Sequence, residues 1–197
     1  MISHKKKFIF IHIPKTAGMT LINALESYQD EDGFKFGHPP QSRYVDQFAV
    51  NEYYQFSFVR NPWDRLCSAF FFLKKGGINE DDRKACEKLN LKTMSFADFV
   101  IKHDPYNSHL HFLPQHTFFN HDFNQVDIMK FENLQSNFDL VCSKIGINAI
   151  SLSHHNKTEK KHYSEYYNED MIRAVQEKYS KDIQLFKYEF NEQSQSI

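Results

Sequence analysis

The sequence predicts an α/β domain with a central, mostly parallel sheet flanked by helices, and three observations carry that expectation. Short β-rich apolar runs alternate with segments of helical periodicity. The first run, Phe8-Ile9-Phe10-Ile11-His12-Ile13, is nearly unbroken, as suits a strand buried on both faces. No internal repeat or low-complexity tract interrupts the alternation before a polar tail that begins at Asn191. At 197 residues, one domain over 1–190 with a tail over 191–197 is expected.

After the first strand, Pro14 to Thr20 reads as a turn, and Leu21 to Glu26 as a helix with Leu21, Leu25 and Tyr28 on one side. Phe34-Lys35-Phe36 is a short strand candidate ending at Gly37-His38-Pro39-Pro40, and Tyr53 to Val59 is another strand. Asn61 suits an N-cap and Pro62 a first helical residue, so a helix is expected from Pro62 towards Lys74. Gly76 to Asp82 reads as a surface loop and Arg83 to Lys92 as a short polar helix. Ser95, with Asp98 three residues on, opens a helix over Phe96–Lys102. Residues 103–124 are irregular and rich in His and aromatics, as a substrate-facing insertion would be. A strand over Val126–Phe131 follows, then a helix from Leu134 to Ile145 closed by Gly146. The basic loop Ser151 to His162 precedes a helix from Asn168 to Tyr179 and an amphipathic stretch ending near Phe190.

Composition narrows the function classes. Hydrophobic residues at 41% supply a sizeable core, and 25% charged residues are ordinary for a globular chain. The 24 basic and 25 acidic residues nearly cancel, which argues against a dedicated nucleic-acid binder. Three cysteines without a CxxC pair point to reduced thiols rather than a disulfide framework or a zinc site. The apolar run after Lys5-Lys6-Lys7 is too short for a signal peptide, and no segment has the roughly 20 apolar residues of a membrane helix. A cytoplasmic protein without a membrane span is expected.

Two constellations carry chemistry. The first is strand, then Pro14-Lys15-Thr16-Ala17-Gly18-Met19-Thr20, then helix. Backbone N–H groups at such a junction cradle phosphate-like anions. Gly18 permits close approach, Thr16 and Thr20 offer hydroxyls, and Lys15 offers a point charge. It is not a Walker A loop, because the lysine precedes the glycine. The second is Phe56-Ser57-Phe58-Val59-Arg60-Asn61-Pro62-Trp63-Asp64-Arg65-Leu66-Cys67-Ser68. Arg60 ends a strand, where open α/β sheets place ligands, and its planar fork suits phosphate oxygens. Ser68 lies two turns into the next helix. An ordinary turn and a surface Arg–Asp pair are the bland readings, the latter the expected one for Arg65 and Asp64.

Together, "FIHIPKTAGMTL" and "FSFVRNPWDRLCSAF" resemble the paired signatures of sulfotransferases that use 3′-phosphoadenosine 5′-phosphosulfate. The HIPKT form is similar to the carbohydrate branch (uronyl 2-O, chondroitin and HNK-1 types with their bacterial relatives). His111-Phe112-Leu113-Pro114-Gln115 is similar to that family's H-W-x-P-Q segment, Phe131-Glu132-Asn133-Leu134 to its FENL, and His155-Asn156-Lys157-Thr158 to its late H-x-N-x-S loop. The resemblance implies a P-loop-like sulfotransferase fold without a metal. It makes Lys15, Thr16, Ala17, Gly18, Met19 and Thr20 the 5′-phosphosulfate loop, and Arg60 and Ser68 the 3′-phosphate site. Met19 stands where the family often has a hydroxyl residue.

Moving a sulfuryl group to a hydroxyl requires a proton acceptor and a cation for the leaving phosphate, tasks that suit histidine and lysine. His38, after a candidate strand, is the expected base and Lys15 the expected cation. A structural turn histidine is the alternative for His38. His109, His111, Gln115 and His116 are candidate contacts for a saccharide acceptor. Lys157, in the basic loop, is a candidate nucleotide contact, with a solvated surface as the alternative. His12 is expected to be a satisfied core residue. Two other function readings stay open: a P-loop-like nucleoside or sugar kinase, and a non-catalytic nucleotide-binding module.

Overall fold

The computed structural model describes residues 1–29, 37–47, 52–152 and 161–191. The chain clusters into two compact units. The first runs over Met1–Arg60 and resumes at Gln115; the second takes Asn61–Pro114 and the described residues from 161 onward.

The first unit holds the sheet. Among the described residues it has four strands in the order β1 (Ile2–Ser3), β2 (Phe8–Ile11), β3 (Tyr54–Val59) and β4 (Val126–Lys130). β2, β3 and β4 are parallel, with Phe10 opposite Phe56 and Ser57 opposite Ile128. β1 is an antiparallel edge, placing Ile2 opposite Ile9. This is the mostly parallel α/β architecture expected. The edge strand was not expected, since a two-residue pairing has no periodicity to read. His4–Lys7 turns the chain between β1 and β2, with Lys7 at φ 53°.

One sheet face is phenylalanine. Phe8, Phe10, Phe56 and Phe58 are fully buried there, and the Phe10 and Phe56 rings stack at 5.1 Å. They pack with Leu21 and Ile22 of α1 (Gly18–Ala24) and with Phe138, Val141 and Cys142 of the later helix α6 (Leu134–Lys144). α6 ends as the glycine signal requires: Gly146 sits at φ 66° and the Ile147 amide donates to Cys142 O at 3.0 Å. α2 (Gln41–Gln47), which sequence periodicity did not mark, meets β3 through a polar contact instead. The buried Gln41 amide nitrogen donates to Gln55 Oε1 and Asp122 O, and its oxygen accepts from the His121 and Asp122 amides. A buried amide with its donors and acceptor engaged carries little desolvation penalty.

The second unit is helical. α3 (Pro62–Lys74) starts as expected, with Asn61 accepting from the Trp63 amide at 3.1 Å. α4 spans Glu80–Lys88 rather than Arg83–Lys92. Asn79 caps it by accepting from the Asp82 amide, and three acidic residues in its first turn suit the helix dipole. α5 (Phe96–Lys102) has the expected Ser95 cap. α7 (Glu169–Lys178) is capped by Asn168, and α8 (Ser180–Phe186) accounts for the amphipathic stretch. Trp63, Phe70, Phe99, Phe112, Val175 and Tyr179 belong to this unit's core. Arg65 is 2% exposed and donates to the carbonyls of His111 and Leu113, so it fixes the segment between them. Its role is structural, but it is a buried clamp on backbone carbonyls rather than the surface Arg–Asp pair expected.

The strand candidate Phe34–Phe36, most of the basic loop, and the end of the tail lie outside the described residues. Among the described residues, no helix is long and apolar enough to cross a membrane.

Candidate active site at the strand ends

β2, β3 and β4 are adjacent and parallel, so their C-terminal ends share one edge of the first unit. β2 ends at Ile11, two residues sooner than expected, and leaves His12 and Ile13 beyond the ladder. The next residues form a sharply turned loop: Lys15 is at φ 69° and Ala17 at φ 62°. Left-handed non-glycine residues cost on the order of 1–3 kcal/mol each, so surrounding structure must impose them. Such backbone turns aim N–H groups into concavities that favour anions. Thr16, fully buried, donates its hydroxyl to Ile13 O at 2.9 Å. The hydroxyl proton therefore closes the turn rather than facing out of it. α1 begins inside this loop, at Gly18 rather than Leu21, with Ala17 at its N-cap and no side-chain cap. Met19 is 44% exposed on the first turn.

Arg60 follows β3. Its Nη1 donates to Lys15 O at 3.1 Å, and its guanidinium lies 4.3 Å from the centre of the Phe131 ring, just past β4. The flat face on Phe131 limits how the fork can rotate. Behind it, Gln115 is fully buried and grips the Arg60 backbone from both sides. The Arg60 amide donates to Gln115 Oε1 and Gln115 Nε2 donates to Arg60 O, each at 2.9 Å. This overturns the expectation that Gln115 contacts an acceptor: its side chain takes the place of a neighbouring strand and fixes where β3 ends.

His38 reaches the same edge. Its Nδ1 lies 3.0 Å from His12 O. A carbonyl only accepts, so Nδ1 carries the hydrogen, and in the neutral ring Nε2 holds the basic lone pair. The His12 and His38 ring centres are 4.1 Å apart. His12 is 5% exposed, and burial, followed by the neighbouring His38, holds its imidazole well below the usual histidine range. His12 is buried as expected, and its Nδ1 makes no hydrogen bond among the described residues.

The first unit thus brings together the loop, Arg60 and His38, with Gln115 and Phe131 supporting Arg60. His116 is half-buried in the same unit. Ser68, on α3, and His109 and His111 belong to the second unit. There His111 is 7% exposed, against the Phe72 ring and 3.9 Å from an Asp82 oxygen. This packing replaces the acceptor contact expected of His111. Burial also lowers the His109 pKa. Lys157 lies outside the described residues. Sequence reasoning missed the tasks of His12, Gln115 and Phe131. Only the placement of Phe131 directly after a strand gave a signal. Among the described residues, no group of three or more His, Cys, Asp or Glu could hold a metal ion.

A parallel sheet that gathers a left-handed loop, an arginine and a histidine at its C-terminal strand ends is of the α/β class that binds ligands at that edge. The particular family is then defined by the whole chain. Residues 1–189 match the sulfotransferase family model, and the protein belongs to that family of sulfuryl transferases. No curated protein and no solved structure matches it.

Proposed function

We propose that the protein transfers a sulfuryl group from 3′-phosphoadenosine 5′-phosphosulfate to a hydroxyl of a saccharide, without a metal. The observation that carries this reading is the hydrogen bond from Arg60 to Lys15 O, which joins the two signature motifs at one sheet edge. The donor fits the residues there: a left-handed loop with backbone amides and a lysine suits the phosphosulfate, and an arginine fork held against Phe131 suits a phosphate. Thr20 and the Met19 amide extend the loop. Ser68 and Lys157 join the nucleotide site on the strength of the signature motifs. The HIPKT form of the loop supports a saccharide as acceptor, with His109 and His116 as its candidate contacts.

In this reading the acceptor oxygen attacks sulfur as the bridging sulfur–oxygen bond to the 5′-phosphate breaks. The hydroxyl proton passes to His38 Nε2. The freed electron pair stays on the phosphate oxygen, where the Lys15 ammonium offsets the charge. The products are a sulfate ester and 3′-phosphoadenosine 5′-phosphate. Incubation with donor carrying sulfur-35 and a saccharide panel, in chelator, should label at least one saccharide. Labelling of phenols alone would overturn the saccharide assignment, and phosphate transfer from ATP that requires Mg²⁺ would favour a kinase.

A further inference from the structure

We infer that His12 is a positioning residue that couples the phosphate-binding loop to the His38 imidazole. The inference rests on the reading of His38 as the base and adds the side chain that sets its environment.

Three contacts converge on this one ring. On one side, a β-carbon built on Gly18 would lie 1.7 Å from His12 Nε2, so the loop glycine sits directly against the imidazole. On another, the His38 ring packs at 4.1 Å while its Nδ1 donates to the His12 carbonyl. Beneath, His12 stacks on Phe10 at 5.7 Å, which anchors it to the phenylalanine face of the sheet. Glycine is therefore required at position 18 for a reason besides its approach to a ligand: any side chain would strike His12. A buried ring nitrogen without a partner is costly, and a simple packing role would be met more cheaply by an apolar ring.

Burial first, then the neighbouring His38, keeps His12 neutral; the Met1 amino group, itself lowered to about 5 by burial, and Lys15 on the loop act in the same direction, and a backbone hydrogen bond at Gly37 opposes them. A neutral His12 ring packed at 4.1 Å covers one face of His38 and limits the access of water to that ring. The loop and the base then respond together: a shift of Gly18 moves His12, and His12 moves or resolvates His38.

The test uses the full chain and needs no acceptor. Histidine-selective carbon-13 and nitrogen-15 spectra should show His38 as the Nδ1–H tautomer and His12 as neutral from pH 8 to pH 5. In His12→Ala, water reaches His38 and its titration midpoint should rise by about one pH unit. Gly18→Ala should weaken binding of 3′-phosphoadenosine 5′-phosphate roughly tenfold or more by overpacking. In the double variant the vacated space accepts the methyl group and most of that loss should be recovered. Should His12→Ala unfold, His12→Gln keeps the volume closer, and in it the His38 midpoint should still move. An unchanged His38 midpoint in a folded His12 variant, or strictly additive binding losses in the double variant, would overturn the coupling. Failure of the base reading is a separate result: undiminished turnover of His38→Ala.

Discussion

Arg60 donates through Nη1 to the carbonyl oxygen of Lys15 at 3.1 Å, so the residue that ends β3 holds the loop that follows β2. The same guanidinium rests on Phe131, past β4. One side chain thereby spans the ends of all three parallel strands. A lysine has no planar fork to stack and bridge at once. Arg60→Lys is expected to weaken 3′-phosphoadenosine 5′-phosphate by roughly ten- to a hundredfold, the scale of one lost charge-assisted hydrogen bond. Isothermal calorimetry on the folded variant reads this directly.

Gln115 carries a stability prediction. Replacing it with leucine strips a partner from both the N–H and the C=O of Arg60, at about 1–3 kcal/mol for each stranded group. At about 2–4 °C per kcal/mol for a chain of this size, the melting temperature should fall by roughly 4–24 °C. Scanning calorimetry checks it, and a loss under 2 °C would mean that water or a rearranged backbone replaces the amide.

His103 supplies an acid switch in stability. It is buried, stacks on Phe99 at 4.4 Å, and burial lowers its pKa from 6.5 to about 4. The folded state therefore takes up its proton later than the unfolded state as pH falls. Its contribution is fully present above pH 6.5, is lost progressively as pH drops through about 4, and amounts to about 3 kcal/mol across that window. His103→Phe keeps the ring contact and removes the proton site. Urea midpoints at pH 7 and pH 4.5 should differ less in the variant than in the parent.

Binding and chemistry should separate in two alanine variants. His38→Ala should leave affinity for 3′-phosphoadenosine 5′-phosphate nearly intact and lower turnover by roughly a hundred- to ten-thousandfold, the range for loss of a general base. Lys15→Ala should lower both, because in the proposed reading its charge serves the bound anion and the leaving phosphate. Single-turnover assays beside calorimetry distinguish them, and parallel losses in the two variants would remove the distinction.

The sheet and the larger helices were legible because their signals are local. An unbroken apolar run, Asn61-Pro62, Ser95 with Asp98, and Gly146 each act within a turn or a strand. The motif residues were legible as a set for the same reason: the loop and Arg60 each directly follow a strand. Less legible were elements fixed by distant partners. α2 is held through Gln41 to residues 55 and 121–122, and no local pattern announces that. Gln115 sits 55 residues from the backbone it clamps, and so looked like a groove residue. His12 takes the buried position its alternation suggests, but no local pattern announces its neighbours Gly18 and His38, since the ladder ends at Ile11. Asn79 lies in a stretch whose glycines signal a loop, yet it caps α4, so the helix starts three residues before Arg83.

The most direct measurement of the central claim is a calorimetric comparison of 3′-phosphoadenosine 5′-phosphate with adenosine 5′-phosphate on the wild-type chain, in chelator. The two ligands differ only in the 3′-phosphate that the proposed reading gives to Arg60. The account predicts tight binding of the bisphosphate and a loss on the order of ten- to a hundredfold without the 3′-phosphate. Equal affinities, or no binding of the bisphosphate until Mg²⁺ is added, would contradict it.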